Sequence, residues 1–315
     1  MAVCGIDVGG TKCLGVALDG EAVVGESRVA TPAGPRELVD ALVELVAVLG
    51  RKAPVEAVGL GVPGLVDRDG VLRVAPNLAA GEGLAVRAVL EERLGVPVVV
   101  ENDATAAAWG ECRRGAACGL ADVVLVTLGT GIGGGLVAGG RVHRGANGFA
   151  GEIGHMVVDP DGPPCPCGQR GCWERYASGS GLGRLAREAA TAGAAARVLA
   201  LAGGDLAAVR GEHVTAAVAE GDAQATEILG RFGWWVALGL ANLANVFDPE
   251  AFVLGGGLVR AADALFAPVR AAFPTLLQGT GRRPPVAILA AELGEEAGAV
   301  GAACLAADAA RRFVV

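Results

Sequence analysis

The stretch from Gly151 to Ser178 gathers residue types that bind metal, and it constrains the fold more than any other part of the chain. Its one histidine and three cysteines provide a nitrogen and three sulfur atoms, the donor set of a closed tetrahedral zinc site. Gly168 and Gly171 allow the tight turns that a chain wrapped around a metal must make. Because four protein ligands leave no position for water, we expect a structural metal. The predicted zinc ligands are His155, Cys165, Cys167 and Cys172.

Disulfide bonds are the alternative for these cysteines. Cys165 and Cys167 stand too close in sequence to pair easily, and nothing marks the chain as secreted. The other cysteines have no motif spacing and are interpreted as small buried apolar groups. These are Cys4, Cys13, Cys112, Cys118 and Cys304.

Two glutamates flank the predicted metal loop. Glu152 precedes His155 by three residues, and Glu174 follows Cys172 by two. Glutamates are ordinarily solvated charges, and that interpretation applies here as well. The alternative is that the metal loop holds both carboxylates still.

Length and composition set the outer bounds. The chain has 315 residues, more than one hydrophobic core usually serves, so two lobes are expected. A net charge of -8 without a basic run argues against nucleic acid and membrane surfaces as partners. The N-terminus lacks the pattern of a signal peptide. The longest uncharged run, 123–140, is so rich in glycine that it favours a hairpin over a membrane helix, and we expect a cytoplasmic protein.

The first glycine turn joins two short apolar runs, Val3 to Val8 and Cys13 to Leu18. This pattern predicts a hairpin with Asp7 near the end of its first strand. Glycine N–H groups can approach phosphate oxygens, and a carboxylate can hold Mg²⁺ through water. An ordinary hairpin turn explains the pattern equally well, and the spacing is not that of a Walker A loop. The candidate phosphate-binding residues are Asp7, Gly9, Gly10, Thr11 and Lys12.

A β-branched run, Val96 to Val100, predicts a strand that ends at Glu101, Asn102 and Asp103. In open α/β sheets, ligands bind at the carboxyl ends of the strands. Asp103 also stands where it could cap a helix over residues 104–111, and the two roles can coexist.

Two further glycine turns follow predicted strands in the second half of the chain. The segment Gly129 to Gly135 lies between a strand over 122–128 and another that begins at Leu136, and Gly255 to Gly257 follow a strand over 251–254. The repeated pattern predicts two related lobes that present phosphate loops to a shared cleft. The sequence GTGIGG also matches a dinucleotide fingerprint, but no helix follows it. The candidate nucleotide-binding residues are Thr130, Gly131, Gly133, Gly255, Gly256 and Gly257.

Apolar periodicity predicts the main helices. Trp234 and Trp235 lie in the longest of them, and we expect them in the core or at a subunit contact of a homo-oligomer, a dimer or tetramer. The predicted helices include 35–49, 84–94, 182–190, 194–202, 214–220, 223–246, 259–273 and 298–311.

Six motifs together resemble those of the ROK family (repressor, open reading frame, kinase), and within it the zinc-containing bacterial glucokinases. They occur in the family's order and cover essentially the full length. The motifs are DVGGTK (7–12), END (101–103), LGTGIGGG (128–135), EIGHM (152–156), CPCGQRGCWE (165–174) and LGGG (254–257). One departure is the segment AAGEG (79–83), where family members often carry Pro-Gly-Trp.

The resemblance implies an α/β, actin-like (ribonuclease H-like) two-lobed sugar kinase fold with a structural zinc loop. The implied lobes are residues 1–118 with the C-terminal helix 299–315, and residues 119–298 with the zinc loop 151–178. Residue by residue, it makes Asp103 the general base and His155 a ligand shared by metal and sugar. The implied sugar-binding residues are Asn102, Asp103, Glu152, His155 and Glu174, with Gly64 and Asn77 as further contacts.

The implied reaction is the ATP-dependent, Mg²⁺-assisted phosphorylation of glucose at its 6-hydroxyl. N-acetylmannosamine, N-acetylglucosamine and fructose stay open as substrates because pocket shape decides among them, and polyphosphate stays open as donor. A sugar-responsive regulator of the family would carry a helix-turn-helix segment before the first hairpin, and only six residues precede Asp7. The alternative of an NAD-dependent dehydrogenase is supported by the GTGIGG motif alone.

Overall fold

The computed structural model of the protein describes residues 2–51, 53–76, 78 and 81–312. The chain divides into two units, and each is continuous in space but not in sequence. The first consists of Met1–Leu125, Gly135–Gly151 and Ala291–Val315, and the second of Val126–Gly134 and Glu152–Ala290. Relative to the lobes predicted above, residues 119–125, 135–151 and 291–298 fall in the first unit. Asn77, a predicted sugar contact, lies outside the described residues.

Among the described residues, the strands form two five-stranded sheets, with orders β3-β2-β1-β4-β7 and β10-β9-β8-β11-β12, and a two-stranded sheet of β5 and β6. In chain order they are β1 (Ala2–Val8), β2 (Lys12–Asp19), β3 (Ala22–Ala30), β4 (Val55–Val62), β5 (Leu65–Val66), β6 (Leu72–Val74), β7 (Val98–Asn102), β8 (Val123–Leu128), β9 (Ile132–Ala138), β10 (Arg141–Val142), β11 (Ala251–Gly255) and β12 (Ala287–Ala290). Sequence periodicity did not predict the two-residue strands β5 and β10.

The helices confirm the predicted periodic segments to within a few residues. They are α1 (Pro35–Leu49), α2 (Val86–Leu94), α3 (Asp103–Arg114), α4 (Glu174–Ala177), α5 (Gly179–Thr191), α6 (Ala196–Leu201), α7 (Gly211–Ala219), α8 (Ala223–Phe247), α9 (Ala262–Leu276) and α10 (Ala297–Arg312). The helix predicted over 259–273 begins later, because the backbone of Gly257–Ala261 forms a 3₁₀ turn first. None of the described helices is long and apolar enough to cross a lipid bilayer.

The first sheet starts with the hairpin that the sequence predicts. β1 and β2 pair antiparallel with Val8 opposite Cys13, and the Gly9 N–H donates to the Lys12 carbonyl at 2.9 Å. β4 pairs in parallel with β1, and β7 pairs in parallel with β4. Since parallel strands end at one edge of a sheet, Asp7 and Asn102 come to the same edge.

Glycines allow α10 to lie directly on this sheet. A Cβ built on Gly5 would stand 2.0 Å from the Ala299 carbonyl oxygen, and one on Gly59 would stand 1.9 Å from that of Ala302. Both distances are far below van der Waals contact, so the helix backbone packs against the strand backbone. This contact fixes the C-terminal helix in the first unit.

β9 begins earlier than predicted. The glycines 133–135 were expected in a turn, yet they lie in the strand Ile132–Ala138, and the turn is limited to 129–131. A Cβ on Gly135 would stand 2.6 Å from the Ala104 carbonyl oxygen, so this glycine serves the close approach of strand and α3. Gly133 is therefore a strand residue and not a turn residue.

Candidate active site and metal centre

The predicted zinc ligands come together in the second unit. The ligating atoms of the histidine and three cysteines all lie within 4.8 Å of one another. The Cys167 and Cys172 Sγ atoms are 3.6 Å apart, and the Cys165 Sγ is 3.8 Å from His155 Nδ1. A tetrahedron with Zn–S bonds of about 2.3 Å has edges of roughly 3.8 Å. Donor chemistry and spacing both fit a zinc ion.

Short hydrogen-bonded turns shape the metal loop. Pro164 bridges to Arg170, and the Cys165 N–H donates to the Gln169 carbonyl at 2.8 Å. Gly171 has φ +64°, and a Cβ there would stand 1.6 Å from the Asp159 carbonyl oxygen. Only glycine fits this position. The loop therefore folds back on itself as the cysteine spacing predicts.

Trp173 anchors the end of the metal loop to α8. Its side chain is fully buried, and its indole N–H donates to the Trp235 carbonyl at 2.8 Å. A Cβ on Gly239 would stand 1.9 Å from the Trp173 ring, so the glycine in α8 makes room for the indole. The residue before Glu174 is thereby fixed in the core.

Both flanking glutamates lie beside the metal ligands. Glu174 Oε1 is 3.2 Å from the Cys165 Sγ and 4.0 Å from His155 Nδ1. Glu152 Oε2 is 3.8 Å from His155 Nε2. Burial raises the pKa of the Glu152 carboxyl, His155 lowers it and Glu174 raises it further. The two carboxylates thus stand on either side of one imidazole, close enough to influence each other.

The GTG turn and the start of α5 are neighbours within this unit. The Gly179 N–H donates to the Gly129 carbonyl at 2.7 Å, and the Ser180 hydroxyl donates to that of Thr130 at 2.8 Å. A Cβ on Gly131 would stand 2.7 Å from Glu174 Oε2. The GTG turn therefore touches a glutamate of the metal loop.

Gly256 brings the third turn against the end of β8. It has φ +87°, and a Cβ there would stand 2.6 Å from the Leu128 carbonyl oxygen. The Gly133 N–H donates to the Thr127 hydroxyl at 3.0 Å and is used inside the strand. Of the predicted nucleotide contacts in this unit, Thr130, Gly131, Gly256 and Gly257 thus lie at turns, Gly255 ends β11, and the Gly133 N–H is bonded to a side chain of β8.

Asp7 and Asp103 are neighbours in the first unit. Burial, and then the charge of Asp103, raises the pKa of the Asp7 carboxyl to about 7, although Lys12 opposes the shift. A Cβ on Gly61 would stand 3.4 Å from the Asp103 Cα and 3.7 Å from Asp7 Oδ1. A Cβ on Gly298 would stand 2.8 Å from the Asp7 Cγ. Gly298 therefore lets the Asp7 carboxylate pack against its backbone, and two neighbouring carboxylates are the oxygen donors that a divalent cation prefers.

Lys12 is tied to the helix turn that precedes α10. Its Nζ lies 3.0 Å from Glu295 Oε2 on the exposed surface. The Thr31 hydroxyl donates to the Gly9 carbonyl at 2.6 Å and braces the turn from the other side. The first glycine turn is thus held at both ends.

The cap of α3 differs from the prediction. The Asn102 side chain accepts from the Thr105 N–H at 3.0 Å, so Asn102 is the N-cap and Asp103 the first helical residue. Asp103 Oδ1 accepts the adjacent Ala104 N–H at 2.7 Å. The Asn102 amide also donates to the Gly64 carbonyl at 3.2 Å. Asn102 takes the capping role that the pattern gave to Asp103, because the helix begins one residue earlier.

Glu101 is a buried carboxylate that the sequence did not single out for pairing. It is 3% exposed, it accepts the Asn102 N–H at 3.1 Å, and it forms a very short contact with Arg144 Nε. Burial raises its pKa, and Arg144 opposes that shift. Arg144 carries no motif spacing, so only the tertiary structure identifies it as the partner.

A second buried carboxylate ties α3 to the segment before α10. Glu111 is fully buried, and it accepts N–H groups from Ala116, Glu292 and Leu293 at distances of 2.8 to 3.2 Å. This contact connects the helix that begins at Asp103 with the turn that leads to Gly298. The sequence pattern did not identify Glu101 or Glu111 as buried. Its only signals of close packing here are the glycine at the start of α10 and the alternate glycines in β4, which indicate that the two backbones approach each other.

Comparison with known proteins agrees with this architecture. The family model described as "ROK family" matches residues 3–309. The glucokinase of Streptomyces coelicolor is 41% identical over 308 residues, 96% of this chain and 97% of that protein. A ROK family glucokinase from Streptomyces griseus, crystallised with glucose and AMPPNP, has a TM-score of 0.83 and 43% identity over 98% of this chain and 100% of that one. A ROK hexokinase from Thermus thermophilus has a TM-score of 0.85 and 38% identity over 99% and 100% of the two chains.

The mixed sheets, the glycine turns and the metal loop define an actin-like sugar kinase fold. The chain belongs to the ROK family.

Proposed function

We propose that this protein is a glucokinase that transfers the γ-phosphoryl group of ATP to the 6-hydroxyl of glucose. The near full-length similarity to glucokinases, one of them bound to glucose and AMPPNP, supports this substrate pair. The structural observation that carries the proposal is the acidic pair of Asp7 and Asp103, which stands at the edge of the sheet where a phosphate turn ends. Zinc is a structural component in this proposal and takes no part in the reaction.

The proposed sugar-binding residues lie on two kinds of support. Asn102 and Asp103 lie at the start of α3, and the Gly64 carbonyl accepts a hydrogen bond from the Asn102 side-chain amide. Glu152, His155 and Glu174 are held by the metal loop and by the buried Trp173. Positions fixed by packing and by a metal lose little entropy when they bind a sugar. Asn77 completes the proposed set from outside the described residues.

The nucleotide is proposed to contact Asp7 and the turn Gly9, Gly10, Thr11 and Lys12 in the first unit. In the second unit, Thr130 and Gly131 are proposed for the phosphates, and Gly255, Gly256 and Gly257 for the adenosine; Gly133, whose N–H is taken by Thr127, is left out of the proposal. Asp7 would hold Mg²⁺ through water, and the ion would relieve the repulsion between Asp7 and Asp103. When bound, Mg²⁺ supplies neutralisation of charge on the phosphates.

In the proposed reaction, the glucose O6 attacks the γ-phosphorus in line, the bond to the β-phosphate oxygen breaks, and ADP leaves. Asp103 accepts the proton of O6. Because the transition state is loose, positioning contributes most of the rate enhancement. General base catalysis by Asp103 contributes about 10²- to 10⁴-fold.

A coupled assay tests this function. We expect ATP-dependent turnover to be highest with glucose in a panel that includes fructose, N-acetylmannosamine and N-acetylglucosamine. Asp103→Asn should lose about 10²- to 10⁴-fold in kcat and keep its affinity for glucose, measured by calorimetry. Unchanged kcat in that variant would remove Asp103 from the role of base. A higher kcat/KM for an amino sugar would overturn glucose as the substrate.

We also propose a homo-oligomer, dimer or tetramer. α8 exposes large apolar side chains: Trp234 is 40% exposed and Val246 is 74% exposed. Val246 is followed by Phe247, which is 42% exposed, and contiguous exposed apolar side chains commonly mark contact surfaces. Sedimentation of the wild type and of Val246→Asp tests the proposal, and a monomeric wild type would contradict it.

A further inference from the structure

A basic cavity lies within the first unit and is lined by none of the residues proposed above for sugar or nucleotide. Its volume is about 1020 Å³, the size of a small-molecule site. The walls are the edge strand β7, the segment that begins at Gly140, and the facing sides of α3 and α10. All of these residues belong to one unit, so the cavity does not depend on how the units are arranged.

The charge of this cavity is opposite to that of the whole chain. Five arginines line it against three acidic residues, whereas the chain carries a net charge of -8. A positive concave surface on an acidic protein concentrates small anions. The arginines are Arg68, Arg87, Arg113, Arg141 and Arg144.

These arginines keep donors free for a ligand. Arg68 and Arg87 each contact a carbonyl oxygen through one nitrogen, Nη2, and Arg144 contacts Glu101 through Nε. The same nitrogen of Arg87 also lies 3.6 Å from Asp69 Oδ1. Arg113 lies 3.7 Å from Asp308 and over the Trp109 ring. Within the described part of the chain, the exposed Arg141 side chain makes no hydrogen bond or ion pair. Since each guanidinium has five N–H donors, these contacts use only a minority of them.

We propose that this cavity binds a small polyanion, of the phosphate or polycarboxylate type, and that the anion regulates phosphoryl transfer. Guanidinium groups bind both types of anion through paired N–H donors. A cavity with several arginines from different elements favours a ligand with at least two negative charges over chloride. The regulatory part of the proposal rests on the proposed kinase activity, whereas the binding part does not.

The ion pair between Arg144 and Glu101 connects the cavity to the catalytic strand. Arg144 lines the cavity and pairs with a carboxylate that is 3% exposed. An anion that draws Arg144 away leaves this buried charge without its partner, and such a charge is strongly unfavourable. Glu101 precedes Asn102 and Asp103 directly, so a shift of Glu101 moves the start of α3. We therefore expect the anion to inhibit.

Calorimetric titration of the full chain tests binding. The probes are inorganic pyrophosphate and tricarballylate, each added in the presence of saturating AMPPNP and Mg²⁺ so that the nucleotide site is filled. One-to-one binding of at least one probe is expected, and the stronger probe identifies the anion type. Arg141→Gln should weaken binding about tenfold, and Arg141→Glu should weaken it further, because each removes one charge-assisted contact. Both changes lie on the exposed strand β10 and leave the core intact.

Arg36→Ala is the matched control, since Arg36 is exposed on α1 and does not line the cavity. This variant should bind the probes like the wild type. Absence of binding by both probes, or equal affinity in Arg141→Glu and Arg36→Ala, would overturn the site. The bound probe should also lower kcat of the wild type and leave kcat of Arg141→Glu unchanged at the same concentration. Binding without any change in rate would overturn the regulatory role, and it would leave the proposed glucokinase activity untouched.

Discussion

Gly298 faces Asp7 so closely that a Cβ at position 298 would stand 2.8 Å from the Asp7 Cγ. The glycine lies in the first turn of α10, and the Glu111 carboxylate holds the segment before that helix through two backbone N–H groups. The absence of a side chain at position 298 therefore sets the position of a carboxylate in the proposed active site.

We predict that Gly298→Ala displaces Asp7 and lowers kcat at least about tenfold, while the fold is kept. Overpacking of this kind costs about 1 to 3 kcal/mol of stability. Gly230→Ala in α8 is the matched control, because a Cβ there meets no atom within 4 Å. The control should gain up to about 1 kcal/mol and keep its kcat. Equal kcat in both variants would show that the Asp7 position does not limit the reaction. Steady-state kinetics and thermal unfolding give the two readouts.

Asp7 makes the stability of the protein depend on pH. Its pKa is raised from 3.8 to about 7 in the folded state. Between these two pH values, Asp7 is protonated in the folded state and ionised in the unfolded state. Below pH 3.8 both states are protonated and Asp7 costs nothing. As pH rises from there to about 7, the free energy of unfolding falls, and above pH 7 the full cost remains.

Asp7→Asn should therefore be more stable than the wild type at about pH 8 by about 1 to 4 kcal/mol, and equally stable near pH 4. The same variant should lose phosphoryl transfer, since the amide cannot replace the carboxylate. Chemical denaturation without Mg²⁺ at about pH 4, 6 and 8 measures the difference. Glu44→Gln on the exposed face of α1 controls for the loss of one surface charge. A stability difference that stays constant with pH would contradict the raised pKa.

The sequence predicted those parts of the fold that local patterns determine. The hairpin around Gly9, the long helix α8 and the ligands of the metal loop all depend on residues close together in the chain. The cysteine spacing alone indicated a cluster that the structure brings within 4.8 Å. Glycine turns were also recognised, although β9 extends further into its glycines than expected, because Gly135 packs against α3.

Contacts between distant segments could not be predicted. Arg144 pairs with Glu101 across 43 positions, and Glu111 reaches Leu293 across 182. No periodicity links such residues, because the sheet order and the return of α10 create the contacts. The prediction of the α3 N-cap was wrong for a simpler reason. Both Asn and Asp favour the N-cap position, and propensity does not decide between two adjacent residues.

Arg144 is predicted to position Asn102 and Asp103 through Glu101. Arg144→Met removes the partner of a buried carboxylate and should cost about 3 to 5 kcal/mol. It should also lower kcat with little change in the KM for ATP. Because burial already raises the pKa of Glu101, the loss of stability in Arg144→Met should become smaller as pH falls and the Glu101 carboxyl becomes protonated.

The double variant Arg144→Met with Glu101→Gln tests whether the pair acts as a unit. Without a buried charge, the double variant should be more stable than Arg144→Met alone, and denaturation curves of the wild type, the two single variants and the double variant give the coupling energy. Additive losses would show that the two side chains act independently. Arg93→Met serves as the control, since the side chains of Arg93 and its partner Asp40 are 45% and 52% exposed, and an exposed pair contributes about 0 to 1 kcal/mol.

The metal loop gives the last prediction, which separates structural zinc from sugar binding. Cys167→Ser removes a thiolate ligand that lies 3.6 Å from the Cys172 Sγ. Zinc content, measured by mass spectrometry, should fall well below one ion per chain. Glu152 and Glu174 should then lose the support of His155 and Cys165, and the affinity for glucose should fall about tenfold or more.

Cys118→Ser is the matched control, because Cys118 is a free cysteine outside the cluster. The sequence prediction that Cys118 is buried was wrong, since it is exposed at the end of a turn after α3. This variant should keep its zinc content and its affinity for glucose. Chelator treatment of the wild type should reproduce the loss seen in Cys167→Ser, and added zinc should restore affinity in the wild type only. A zinc-free variant with normal affinity would contradict the link, because the glutamates would then be held by the buried Trp173 and its contact with Gly239 alone. The comparison thus decides whether the metal or the indole fixes the two glutamates that are proposed to bind the sugar.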